Sequence, residues 1–335
     1  MAAAQREGLL GSGGHRILVT ASFFAKQFSW EQSMKAVVLK AYGDVDQLIY
    51  EEVEKPKPGA GEVLVRIAAT SINPIDFKLR SGAMKAQMPL QLPTILGRDL
   101  AGEVAELGEG VAGLHIGQRV LALANNTYAE YATVKGELVA AIPDGLSFEQ
   151  AAALPLVTLT GAQLIERGVK IKQGQSVIIT GGLGGVGRTA IFVAMQHHGQ
   201  VIAAVRSSQM AEAEALGTLA LVALEDEEGL SAFQQIDAFA DTIGGAVAAK
   251  LFKYLRSGAV YASVVGVPEE AKNYDIHAEA VYSQPDAARL SQLAAEVAAN
   301  RLKIPVAKVM KLSEIREAHH LAEAGGVRGK IVLTP

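Results

Sequence analysis

Three features of this chain carry residue types and spacings that could do chemistry. The clearest is Gly181-Gly-Leu-Gly-Gly-Val-Gly187. Glycines 182, 184 and 187 fit G-x-G-x-x-G, and glycines 181, 184 and 187 fit a looser three-residue spacing. In such a loop one glycine allows a tight strand-to-helix turn and the next lets a pyrophosphate approach the backbone. The last lets the helix pack close to the sheet. The helix N-terminus then offers unpaired N–H groups to the phosphates. A glycine-rich turn can also be a mere flexible loop. Here Ser176–Thr180 reads as a strand before it, a helical run to His198 follows, and Val201–Val205 reads as a second strand, which favours a dinucleotide. The second feature is Arg206-Ser207-Ser208 at the end of that second strand. An acid about 20 residues past the glycines would bind a ribose 2′-hydroxyl and mark NAD. An arginine and two hydroxyls suit a 2′-phosphate instead. The next acid is Glu212, so no carboxylate is expected there to repel it, and NADPH is the expected cofactor. The third feature is Asn73-Pro74-Ile-Asp76, an amide and a carboxylate at a turn.

The elements that must position these groups follow from the pattern. Residues 34–142 read as short strands broken by Gly, Pro and Asp: 35–39, 48–53, 62–69, 100–107, 119–122 and 129–134. This spacing suggests a small, irregular antiparallel barrel. Ser147-Phe-Glu-Gln150 opens an Ala-rich helix, and 158–168 continues as helix. Strands then alternate with helices: strands at 219–222, 236–240, 259–265, 304–310 and 330–333, and helices at 246–255, 285–300 and 312–324. That alternation implies a doubly wound parallel sheet, so the fold class is α/β. The 335 residues suit two domains. A net charge of −4 gives no general attraction to nucleic acid or anionic membrane. With no cysteine there is no disulfide and no thiolate metal site. No apolar run reaches the roughly 20 residues of a membrane span. Residues 1–33 read as a disordered extension or an early start rather than a transit peptide, and the chain as cytoplasmic.

The chain from Met34 onward resembles the medium-chain dehydrogenase/reductase superfamily, in its zinc-independent quinone oxidoreductase branch. The motifs that carry the likeness are Lys55-Pro-Lys-Pro-Gly59, Gly61-Glu-Val63, Ser71-Ile-Asn-Pro-Ile-Asp76, Gly97-Arg-Asp-Leu-Ala-Gly102 and Ala129-Glu-Tyr131. Further on are Ala151-Ala-Ala-Leu-Pro155, Gly184-Gly-Val-Gly187, Asp241-Thr-Ile-Gly-Gly245 and Gly329-Lys-Ile-Val-Leu333. The resemblance implies a GroES-like catalytic domain at 34–155 and 301–335, interrupted by a Rossmann NADP-binding domain at 156–300. The active site would lie in the cleft between them. Alcohol dehydrogenases of the superfamily have a zinc-binding cysteine near position 73 and a histidine at position 98. This chain has Asn73 and Arg98, and its seven histidines are scattered or sit in pairs, so no metal is expected.

Without a metal, the acceptor must itself be electrophilic: a quinone or an α,β-unsaturated carbonyl. Asn73 is the first catalytic candidate, as a donor to an oxyanion or to the cofactor ribose, or else as a turn former. Asp76, a further catalytic candidate, is expected to order the loop through a salt bridge to Arg98 or Lys78 in preference to donating a proton. Tyr128, beside the cleft by resemblance, is a proton donor or a packed aromatic, and solvent is the alternative proton source. Cofactor contacts implied by the resemblance fall on Thr160, Gly182, Gly184, Gly185, Val186, Gly187, Arg206, Ser207, Val265, Gly266, Val267 and Lys330. Loops 81–93 and 268–282 are expected at the cleft mouth, and 260–267 at a sheet edge that joins two copies into a homodimer. Two alternatives stand beside the reductase: a non-catalytic NADPH-binding sensor or scaffold, and an enoyl-thioester reductase.

Overall fold

The computed structural model describes residues 32–335. The readings of residues 1–33 (all but 32 and 33) and of His15 lie outside the described residues. In chain order the first strands are β1 (Ser33–Leu39), β2 (Leu48–Glu54), β3 (Glu62–Ser71), β4 (Thr94–Ile95), β5 (Asp99–Leu107), β6 (Arg119–Leu123), β7 (Tyr131–Lys135) and β8 (Ala140–Ala141). They are followed by β9 (Ser176–Thr180), β10 (Gln200–Val205), β11 (Ala220–Ala223), β12 (Ile236–Asp241), β13 (Leu255–Ser263), β14 (Ile276–Ala280), β15 (Val306–Lys311) and β16 (Lys330–Thr334).

Strands β9 to β14 form one parallel sheet in the order β11-β10-β9-β12-β13-β14. The order reverses at β9, where the glycine turn leaves the sheet. A sheet with both faces covered needs apolar residues on both sides of its strands. Strand β9 shows why: Val177 and Ile179 join one core with Leu159, Val193 and Leu293, while Ile178 joins another with Phe239, Phe252 and Tyr261. Each such buried side chain contributes about 1.5–3 kcal/mol.

The remaining strands make a mostly antiparallel system. Its larger sheet runs β15-β16-β3-β5-β6-β8 with β7 on β3, and β2-β1-β4 forms a smaller one. Its last two strands come from the C-terminal end of the chain, and β16 returns beside β3, with Val332 opposite Ser71 and Leu333 opposite Thr70. The helix Pro155–Gln163 leads away from this system and runs on as a π-helical turn, Leu164–Val169, to the parallel sheet.

The α/β architecture is the one expected, with differences in detail. Two-residue strands β4 and β8 are too short to leave a pattern in sequence. The expected loop 268–282 contains β14, whose mostly exposed residues, including His277 and Glu279, carry no apolar signal. Strand β14 in turn covers β13. The outer edge of the sheet is therefore 276–280, not 260–267.

Candidate active site

Strand β9 ends at Thr180, and the helix Gly185–Gln196 begins after Gly184 as its N-cap. The turn is built by close approach. A Cβ at Gly187 would lie 2.1 Å from the Gly181 carbonyl oxygen, so only glycine lets this helix start so near the strand. At Gly184 a Cβ would meet only that oxygen, at 3.3 Å, and the space beyond is open. The first-turn N–H groups of a helix lack intrahelical acceptors, and Gly184, Gly185, Val186 and Gly187 line the cleft with them. Open backbone at a helix N-terminus fits a dinucleotide pyrophosphate. Gly182 lies outside this lining and faces Ile191 and Ala203.

Arg206 and Ser207 are exposed beyond the end of β10, outside the cleft lining. Here the structure corrects the expectation of a site free of carboxylates. Glu225, just past β11, accepts from both the Ser207 N–H and the Ser207 hydroxyl, at 2.9 Å each. These two bonds hold its carboxyl below the usual range, with help from the Arg206 charge.

On the other side of the cleft, a buried carboxylate gathers four elements. The Oδ2 of Asp99 accepts from the Asn73 amide at 2.7 Å, from the Ser71 hydroxyl, and from the Lys330 ammonium at 3.4 Å. Its Oδ1 accepts from the Leu156 N–H at 2.7 Å, tying β5 to the connecting helix. Lys330 also donates to the Ile72 carbonyl at 2.8 Å and to the Asn73 Oδ1. Burial pulls the Lys330 pKa down against the pull of Asp99 and Asp76. The Asn73 amide is thus engaged at both ends, its second donor contact being the Ser71 carbonyl at 3.4 Å.

Asp76 and Tyr128 lie behind the cleft wall, both fully buried. Asp76 does order the turn, but through other partners than Arg98 or Lys78. Its Oδ2 accepts from the Asn73 N–H and the Tyr128 hydroxyl, each at 2.8 Å. Burial pushes the Asp76 pKa up to about 6, against the lowering effect of those two bonds. Burial and the facing Asp76 push the Tyr128 phenol well above its ordinary value, so it keeps its proton. Beneath Tyr128, His319 is buried edge-on at 5.9 Å and meets Arg80 through Nδ1 at 3.2 Å. Burial lowers its pKa to about 3, so it is a neutral packed ring.

The cleft between the sheets has a volume of about 660 Å³. Asn73, Lys330, Thr160, Val265 and Gly266 line it with the glycine turn, and Val267 lies outside. The Thr160 hydroxyl donates to the Leu156 carbonyl at 2.6 Å. Both loops expected at its mouth take part, with Met84, Gln87 and Met88 from one and Ala280, Val281 and Tyr282 from the other. No carboxylate side chain is among the lining residues, whereas Lys78 and Arg98 are. The Nε of Arg98 is buried without a hydrogen-bond partner. Among the described residues no group of three or more His, Cys, Asp or Glu converges.

Sequence reasoning missed the hub role of Asp99, the free donor of Arg98 and the position of Glu225. The motif around residues 97–102 contained the first two without saying which way they point. Glu225 had one available signal: it follows the strand neighbouring β10, so parallel register brings it to Ser207.

Comparison with known proteins places this architecture. Residues 59–144 match the alcohol dehydrogenase GroES-like domain family, and residues 219–333 match the zinc-binding dehydrogenase family. A chloroplastic quinone-oxidoreductase homolog of Spinacia oleracea is 33% identical over 208 residues, covering 59% of this chain and 63% of that protein. A chloroplastic NADPH-dependent alkenal/one oxidoreductase of Arabidopsis thaliana is 34% identical over 193 residues, covering 54% and 50%. The chain thus spans less than two thirds of the length of these relatives. The solved structure of the quinone oxidoreductase from Coxiella burnetii superposes with a TM-score of 0.81 at 32% identity, covering 90% of this chain and 99% of that one. With its GroES-like strands, parallel sheet and glycine turn meeting at one cleft, the chain belongs to the medium-chain dehydrogenase/reductase superfamily.

Proposed function

We propose that this protein is a zinc-independent, NADPH-dependent reductase that transfers hydride to a quinone or an α,β-unsaturated carbonyl. The observation that carries the reading is one cleft shared by a phosphate-type helix N-terminus, the Arg98 guanidinium and an apolar wall. The wall includes Phe77, Met84, Met88 and Val265. A nicotinamide dinucleotide held at Gly184–Gly187 would supply the hydride. The protein's own residues would align the acceptor and stabilise charge. Arg98 lines the cleft, and its guanidinium would donate to the acceptor oxygen as negative charge develops there. Asn73 and Lys330 line the cleft but are bound to each other and to Asp99, which makes them positioning residues. Asp76 and Tyr128 hold the Asn73 turn from behind, and solvent protonates the product. The domain division (34–155 with 301–335, and 156–300), a cytoplasmic location and a homodimer belong to the same proposal. No helix of the described residues is long and apolar enough to cross a membrane.

The test is NADPH oxidation against a panel of quinones and enones, with Arg98→Ala alongside. Turnover that drops about 10²–10³-fold in the variant, with NADPH affinity unchanged, is the expected result. Cofactor binding without turnover on the whole panel would overturn the reductase reading and leave a non-catalytic NADPH-binding protein.

A further inference from the structure

The end of β10 contains an anion of the chain's own where the cofactor's distinguishing group would sit. Strand β11 runs parallel to β10, and the Leu224 N–H donates to the Val205 carbonyl at 2.8 Å. That register carries Glu225 alongside Ser207. Its Oε2 then takes both donors of Ser207, the backbone N–H and the hydroxyl, at 2.9 Å each. Arg206, next in chain to Ser207, carries no ion pair to Glu225 short enough to count as a salt bridge, yet its charge acts on that carboxylate.

A 2′-phosphate recognised here needs these same donors. It would bring a charge near −2 to a serine already occupied by a carboxylate, so that carboxylate must first swing away. Glu225 is exposed, and the displaced side chain enters water rather than a packed core. A ribose 2′-hydroxyl makes the opposite demand: it is a donor and can give its hydrogen to the carboxylate where it stands.

We propose that Glu225 sets the NADPH-to-NADH preference of this protein by competing, as an internal anion, for the site of the cofactor's 2′-phosphate. The inference rests on the dinucleotide reading above. It adds that the preference conferred by Arg206 and Ser207 is held down by a neighbouring strand.

The experiment is equilibrium binding of NADPH, NADH and adenosine 2′,5′-bisphosphate to wild type, Glu225→Gln and Arg206→Ala. The bisphosphate reports on the 2′-phosphate without any turnover. Glutamine keeps the size and an acceptor oxygen but removes the charge. The expected result is about tenfold tighter NADPH and bisphosphate binding in Glu225→Gln, with NADH no tighter, and weaker NADPH binding in Arg206→Ala. Unchanged or weaker NADPH and bisphosphate binding in Glu225→Gln would overturn the proposal. Binding of neither dinucleotide by any of the three proteins would instead sink the dinucleotide reading itself, a distinguishable failure.

Discussion

Each of the two large sheets carries a buried carboxylate behind the cleft, and the two are stabilised in different ways. Asp99 on β5 faces a lysine, an amide, a hydroxyl and a backbone N–H. Asp241 on β12 faces only neutral donors. Its Oδ1 accepts from the Thr180 hydroxyl at 2.8 Å and from the Ile243 and Gly244 N–H groups at 3.0 Å, and its Oδ2 from the Tyr261 and Ser263 hydroxyls. Each fastens the strand ends that form its side of the cleft. The difference is chemical: an ammonium can only donate, whereas a hydroxyl can turn and accept. The first arrangement should therefore fail abruptly on substitution and the second gradually.

The largest effect is expected at Asp99. In Asp99→Asn the added NH₂ must face either the Leu156 N–H or the Lys330 ammonium, and Lys330 is left buried without its countercharge. Removing one partner of a buried pair costs about 3–5 kcal/mol, and urea unfolding should read a loss of that size. Asp99→Asn combined with Lys330→Met should recover part of it, because the orphaned charge goes with the lysine. A double variant as unstable as the sum of the two single ones would show that the ion pair is not what matters.

Asp76 sharpens the comparison, because it has hydrogen-bond donors and no cationic partner in contact. Its folded pKa of about 6 lies above the unfolded 3.8. The folded state therefore binds the proton more tightly, and its stabilising contribution is complete below pH 3.8. That contribution is lost as pH rises through 6, and the shift corresponds to at most about 3 kcal/mol. Asp76→Asn should remove that part of the pH dependence between 4 and 7 while keeping an acceptor for the Tyr128 hydroxyl. Unfolding curves at several pH values would decide it; an unaltered slope would assign the proton uptake to another group.

Much of this architecture was legible in the sequence because it rests on local pattern. The Gly181–Gly187 spacing, the apolar run of β9 and the alternation after Ser147 are each contained within one element or its neighbours. What escaped depends on register between distant segments. Asp99 and Lys330 are 231 residues apart, and only the return of β16 to β3 makes them partners. Tyr128 reaches Asp76 across 52 residues, so the loop-ordering role of Asp76 was readable but its partner was not. Glu225 was lost for the same reason: a search confined to the residues after β10 cannot see an acid delivered by β11. Strand β14 escaped for another reason, since exposed edge residues such as His277 and Glu279 bury no apolar face to leave a period.

The smallest effect is expected at Asp241, although it has more donors than Asp99. In Asp241→Asn the amide oxygen can keep the three donors that meet Oδ1, two of which are backbone N–H groups that cannot turn away. The new NH₂ then lies where Oδ2 was, facing Tyr261 and Ser263. Both hydroxyls can rotate and accept from it, so the count of hydrogen bonds is nearly preserved. What is lost is the extra strength of bonds to an ionised acceptor, about 1–2 kcal/mol in all. Tyr261→Phe in the Asp241→Asn background should then cost less than in wild type, since the phenol no longer donates to a carboxylate. Denaturant titration of the four proteins in that cycle measures the coupling directly. A loss at Asp241→Asn as large as at Asp99→Asn would mean that the hydroxyls cannot reverse within the packed ends of β9, β12 and β13, and that neutral donors bind a buried carboxylate as rigidly as a lysine does.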